Sequence, residues 1–329
     1  RKEKSKLLSY ANFADLVLED RMAGSGHKAQ AFLQRLDRAT RNFFERENLE
    51  LEDFRKELEG PAALPLCPWD LAYYAEKLRQ ARFDFDEEAL RPYFGVEGVL
   101  QGMFELVGQI YGVTVETRED VPLYHPSVRY FTLKDAEGHP LGSFYADLFP
   151  RESKRGGAWM GDFITGMANS PHASHLGVMC ANFTPPVGDA PALLTHREVE
   201  TLFHEFGHLL HHLLGRSTVR SLAGTRVAWD FVELPSMIME NFCWEPEGLA
   251  LFARHHETGA PIPPTLLERL RKTRTFRAAN AQMRQLSFGV TDLALHIDYD
   301  PDRDGDAMAY GRAIAQRYSS AELTEDHAS

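Results

Sequence analysis

Apolar positions recur at three- and four-residue spacing through most of this chain, then alternate strictly over a short middle stretch. The first pattern predicts amphipathic helices and the second half-buried strands. Residues 1–22 read as one amphipathic helix, closed by the Gly24-Ser25-Gly26 break. Residues 27–58 predict one or two charged helices, with Phe32, Leu33, Leu36, Phe43 and Phe44 on the apolar side. Pro61, Pro65 and Pro68 mark a loop. Residues 69–80 predict the next helix, its aromatic side chains in the core, and residues 96–111 predict another.

The texture changes at residue 113. Residues 113–118, 128–133 and 141–146 alternate as strands, the last two joined by a turn at 135–139, and 176–183 forms a further strand. Helical periodicity then resumes. The expected architecture is mainly α with a small β-sheet, in two regions: a helical region over 1–112, and a region over 113–329 that holds the sheet and the chain's most distinctive helix.

That helix spans about residues 196–214. Thr195 and Glu198 form a capping box at its start, and Gly215 supplies a stop. Leu202, Phe203, Phe206, Leu209, Leu210, Leu213 and Leu214 make it apolar over most of its circumference, the mark of a buried helix. Within it stand His204, Glu205 and His208, in the order H-E-x-x-H. Positions i and i+4 share a helix face, so both imidazoles can point at one zinc ion. Glu205 lies between them, where its carboxylate reaches water beside the metal without binding it. Two imidazoles and a third ligand leave a tetrahedral zinc with one open position, as catalysis requires. The bland alternative is a core helix whose histidines bond to main-chain carbonyls. Glu205 would then need a buried partner of its own. His211 and His212 extend the run, with His211 better read as a surface or supporting residue than as a ligand.

The third donor has to come from elsewhere. Residues 230–242 open a second apolar helix, with Pro235 in its first turn. Glu233 lies close to its start. One reading makes Asp230 and Glu233 helix caps that complement the dipole. The favoured reading makes Glu233 the third ligand, because no further histidine follows the pair at suitable spacing. Glu240, two turns on, reads equally well as the acceptor that orients a ligand imidazole or as a helix-surface ion-pair residue.

Composition narrows the class. Hydrophobic residues at 43% and charged residues at 26% are ordinary for a globular protein. A net charge of −12 argues against nucleic acid, which needs a basic footprint, and disfavours an anionic membrane surface. No apolar run has the length of a membrane span. Cys67, Cys180 and Cys243 show no pairing pattern, which fits a reducing cytosol, and Cys180 and Cys243 read as inert core residues. The acidic stretch from Asp300 to Gly305 imitates the start of a calcium loop. The twelfth position is Gly311 where a bidentate Glu is needed, so it reads as a solvated turn.

Residues 201–214 (TLFHEFGHLLHHLL) and 229–242 (WDFVELPSMIMENF) closely resemble the M3 family of zinc oligopeptidases. Residues 68–76 (PWDLAYYAE), 155–160 (RGGAWM) and 180–187 (CANFTPPV) agree with it. The resemblance implies a zincin-like M3 architecture, one zinc per chain on His204, His208 and Glu233, and Glu205 as general base. It implies a cytoplasmic metalloendopeptidase acting on internal bonds of short peptides. It also implies an edge strand, at Gly177, Val178 and Met179, that pairs with the substrate main chain. Family members are longer at both ends and carry a Gly- and Tyr-rich loop that stabilises the oxyanion, so these 329 residues read as a fragment. Two other functions compete: a catalytically incomplete zinc protein that only binds peptides, and a zinc hydrolase of a different bond.

Overall fold

A computed structural model of the chain describes residues 1–84, 86–167, 174–188 and 190–324. In chain order the helices and strands are α1 (Lys2–Leu7), α2 (Phe13–Leu18), α3 (Gly26–Glu59), α4 (Leu71–Phe83) and α5 (Val96–Tyr111). The sheet follows: β1 (Thr114–Thr117), β2 (Arg129–Lys134), β3 (Pro140–Asp147), β4 (Trp159–Ile164) and β5 (His175–Cys180). Then come α6 (His196–Leu213), α7 (Leu234–Glu240), α8 (Pro246–Phe252), α9 (Pro264–Thr273), α10 (Ala278–Ile297), α11 (Pro301–Asp304) and α12 (Ala307–Ala315).

The chain divides into two compact units, Arg1–Phe85 with Lys272–Ser329, and Asp86–Arg271. The expected division fell at residue 112. It differs because α5 packs on α8 and β1, while α10 returns to lie along α3. In the first unit Phe44, Ala279, Met283, Leu286 and Tyr318 form one core cluster, and Leu51, Leu66, Tyr74 and Leu78 another. The first 22 residues form two short helices rather than one; Phe32 and Phe43, expected on an apolar helix side, and Trp69 and Tyr73, expected in the core, are exposed. Asp300 accepts from the Asp302 main-chain N–H and so caps α11.

The second unit holds a five-stranded sheet in the order β1-β2-β3-β5-β4. All neighbours are antiparallel except β3 and β5, which run parallel. The helix α6 lies against one face. Phe206 of α6 meets Phe144 of β3 and Phe104 of α5 at ring separations of 5.9 and 5.7 Å, with Phe131 of β2 stacked 5.1 Å behind Phe144. Leu202, Phe203, Phe206 and Leu209 are fully buried, each contributing about 1.5–3 kcal/mol by transfer from water. Gly177 admits the helix: a Cβ there would stand 2.6 Å from Leu209 Cδ1.

One expectation is overturned. Gly177, Val178 and Met179 do not form an edge. Their strand, β5, is flanked by β3 and by β4, so Gly177 pairs with Phe144 and Asp162, Val178 with Tyr145 and Gly161, and Met179 with Ala146 and Met160. All three are buried. Their main-chain groups are spent inside the sheet, and the edge belongs to β4. Gly156, Gly157, Gly161 and Asp162 broke the alternation that would have marked β4 as a strand.

Candidate metal centre

The chemistry of the site begins with how α6 is fixed. Its capping box is formed: Thr195 Oγ1 accepts from the Glu198 N–H, and Glu198 Oε2 accepts from the Thr195 N–H. Glu198 also accepts from Thr184, tying the helix start to the segment that leaves β5. About three turns below the cap, α7 crosses α6 closely at Gly207. This contact carries Glu233, which sits just before α7, to the two imidazoles.

Glu233 Oε2 lies 3.2 Å from His204 Nε2 and 3.0 Å from His208 Nε2. It also accepts from Ser236 Oγ at 2.9 Å. Glu233 occupies the N-cap position of α7 but makes no side-chain cap bond, so its carboxylate serves the imidazoles rather than the helix end. His204 Nδ1 lies 2.6 Å from Glu240 Oε1. The carboxylate can only accept there, so Nδ1 carries a proton and Nε2 is the ring nitrogen turned to Glu233. A lone pair facing a carboxylate oxygen at this distance needs a proton or a cation between them. Two imidazole nitrogens and one carboxylate oxygen are the donors zinc prefers, with room for an open position. The residues present fit the metal.

Glu205 is 7% exposed and stays outside this donor group. Burial pushes its carboxyl up, and the Glu233 charge adds to this; His204 and the Met160 main chain pull the other way. Burial likewise lowers His208, whose Nδ1 has no hydrogen-bond partner among the described residues. His211 is half-buried, rests against Phe231 and does not join the donors. Cys180 and Cys243 are buried free thiols, with Cys180 pushed up to about 11, mainly by burial.

The edge strand β4 runs beside Glu205, and several groups that the sequence did not flag hold it there. The fully buried His212 donates from Nε2 to Ile164 O at 3.1 Å. His175 accepts from the Gly166 N–H and donates to Gly215 O at 2.9 Å. Arg226 bonds Thr165 Oγ1 at 2.8 Å and pairs with Asp162. In the segment that leads into β4, Lys154, buried with Asp147, donates to the Asp147, Phe149 and Ala181 carbonyls.

A sequence model described as "Peptidase family M3" matches residues 1–329. The chain belongs to peptidase family M3. Oligopeptidase A of Escherichia coli is 44% identical over 306 residues, covering 92% of this chain and 45% of that protein. A probable cytosolic oligopeptidase A of Arabidopsis thaliana is 40% identical over 309 residues, 92% of this chain and 44% of the relative. Dipeptidyl carboxypeptidase of Escherichia coli is 36% identical over 298 residues, 90% and 43% respectively. The chain thus spans less than half the length of these M3 relatives. Among the described residues no helix is long and apolar enough to cross a membrane.

Proposed function

We propose that the chain carries the catalytic centre of a zinc metalloendopeptidase that cleaves internal bonds of short peptides. The observation that carries this reading is the convergence of His204 Nε2, His208 Nε2 and Glu233 Oε2, at 3.2 and 3.0 Å, beside a buried carboxylate. The M3 relatives, peptidases by name, support it.

His204, His208 and Glu233 hold one zinc ion per chain. When bound, the zinc supplies a Lewis acid that polarises a peptide carbonyl and makes water acidic enough to lose a proton near neutrality. Glu240 keeps the His204 proton on Nδ1, which leaves Nε2 free to ligate. Glu205 accepts the proton of the attacking water on its carboxylate and delivers it to the leaving amine nitrogen. Its burial suits this role, because a carboxyl raised above its ordinary value is a stronger proton acceptor. The β4 main chain offers an extended peptide the hydrogen bonds of an added strand, which favours substrates of varied sequence. A cytoplasmic setting is consistent with three free cysteines and with the Arabidopsis relative described as cytosolic.

The test is hydrolysis of mixed short peptides before and after stripping the metal. Cleavage that a chelator abolishes and zinc restores is the expected result. Zinc-loaded protein with no chelator-sensitive hydrolysis would refute the catalytic reading.

A further inference from the structure

Four side chains on α6 recur every fourth residue, at His196, Glu200, His204 and His208, and so form one stripe facing the α7 segment. The last two are the metal-site histidines. The first two also make specific polar contacts to the chain that follows Glu233. His196 is 5% exposed, and its Nε2 lies 2.8 Å from Cys243 O, so it donates. Trp244 Nε1 donates to Glu200 Oε1 at 2.5 Å. The Trp244 ring meets the His196 ring edge-on at 4.4 Å, and the other Glu200 oxygen lies 3.8 Å from His196 Nδ1. These contacts grip the 3-10 turn Asn241–Cys243, which continues directly from α7 and Glu240.

We propose that His196, Glu200 and Trp244 are positioning residues that set the register of α7 along α6, and thereby place Glu240 and Glu233 on the zinc-site imidazoles. This rests on the reading of His204, His208 and Glu233 as a zinc site. The polar contacts run in order along the stripe: His196 to Cys243 O, Glu200 to Trp244, His204 to Glu240, and His208 to Glu233. A packed apolar interface alone tolerates sliding, because one leucine replaces another at the next turn. A half-buried carboxylate that meets one indole N–H does not, since a slipped register takes that donor away from it. Glu200 is well placed for this: burial pushes its carboxyl up, while His196 and Trp244 pull it back down. A shift of one turn would move Glu240 away from His204 Nδ1 and Glu233 away from both Nε2 atoms.

The test compares Trp244→Phe, Glu200→Ala and Glu200→Gln with the wild-type chain. Trp244→Phe keeps an aromatic ring beside His196 but removes the indole N–H together with the five-membered half of the bicycle, so Glu200→Gln and Glu200→Ala isolate the hydrogen bond. Zinc affinity by chelator competition is expected to fall about 10–100-fold in Trp244→Phe and Glu200→Ala. Glu200→Gln, whose amide oxygen still accepts from the indole, should stay close to wild type. A second readout uses metal-free protein: imidazole 1H–15N spectra should show the Nδ1–H form of His204 in the wild type and a mixture of forms in Trp244→Phe. Wild-type affinity together with an unchanged His204 spectrum in Trp244→Phe would overturn the proposal. If the wild type itself bound no zinc, the metal reading would fall, and the His204 spectrum would still decide the register. Should Glu200→Ala not fold, the other two variants carry the comparison.

Discussion

A Cβ placed on Gly207 would stand 2.6 Å from Ser236 Cα. It would also lie 2.8 Å from Pro235 O and 3.1 Å from Met239 Cγ. The first two are main-chain atoms, which have no side-chain rotation to yield by. The glycine inside the H-E-x-x-H box therefore serves the neighbouring helix rather than the metal. It lets α7 close on α6, and Glu233 stands two residues before Pro235 on the arriving segment. Ser236, fully buried at this crossing, donates to Glu233 Oε2. The helix crossing and the third donor are parts of one arrangement.

Replacing Gly207 with Ala tests that arrangement. Ala favours a helix interior over Gly by about 0.8–1.0 kcal/mol, but overpacking a filled contact costs about 1–3 kcal/mol. The clash is with backbone, so the cost should win. Gly207→Ala is expected to lose stability in urea unfolding and to bind zinc more weakly than wild type. A more stable variant with unaltered zinc affinity would show that the two helices can separate without moving Glu233.

Metal removal has a separate expected outcome. If the three donors belong to the folded state only, zinc at a hundredfold excess over its dissociation constant should stabilise the fold by about 2.7 kcal/mol. Thermal unfolding with added zinc, and again with chelator, measures this directly. His204→Ala and His208→Ala should each abolish the zinc-dependent shift. A shift that persists in both variants would place the metal elsewhere. Among the described residues two other donor groups could be tested, His255 with His256 and Glu257, and Asp135 with Glu137 and His139.

Glu205→Gln separates binding from chemistry. The amide keeps the size of the side chain and removes its proton acceptor, and Glu205 lies outside the donor group. Zinc affinity should hold while turnover falls by about 10²–10⁴-fold, the usual contribution of a general base. Comparing turnover at equal zinc content isolates the effect. Near wild-type turnover in the variant would assign the proton transfer to another group.

The sequence made the H-E-x-x-H helix legible because its signals are local. Capping box, apolar periodicity and H-E-x-x-H spacing all lie within one helix, and α5 was bounded to the residue for the same reason. Of the two readings of Glu240, the structure shows the carboxylate on His204 Nδ1. What escaped is non-local. The sheet order that buries β5 between two strands depends on a parallel pairing across the whole β4 excursion, which no periodicity reports. The β4 strand itself hides behind its glycines. The histidines His175 and His212 gave no sign that they pin its far end, since their partners are main-chain atoms, Gly166 and Gly215 for His175 and Ile164 for His212, that no spacing of side chains reports. His196 and Glu200 did leave a trace, the four-residue spacing that leads to His204.

His212 gives the fold a pH dependence whose sign follows from its burial. The side chain is fully buried, donates from Nε2 to Ile164 O, and has no partner for Nδ1 among the described residues. There is no room to add one, because a Cβ on Gly224 would lie 2.9 Å from that nitrogen. Burial pushes the imidazole below its ordinary 6.5, and His175 adds to this; Asp162 and the main chain at Ile164 and Leu176 oppose it. The folded state thus holds His212 neutral where the unfolded chain would protonate it. Its contribution is fully present above the unfolded value and is lost as pH falls through the folded one. Each unit of depression is worth about 1.4 kcal/mol. Urea unfolding of metal-free protein at about pH 7.5 and about pH 5.5 spans the window in which a histidine titrates. The wild type should lose more stability across that interval than His212→Gln, which has no proton to take up. His208 and His211 are depressed by burial as well and titrate in both proteins, so the difference between the two slopes belongs to His212. Equal slopes would mean that His212 keeps its ordinary value and that its contact to β4 survives protonation.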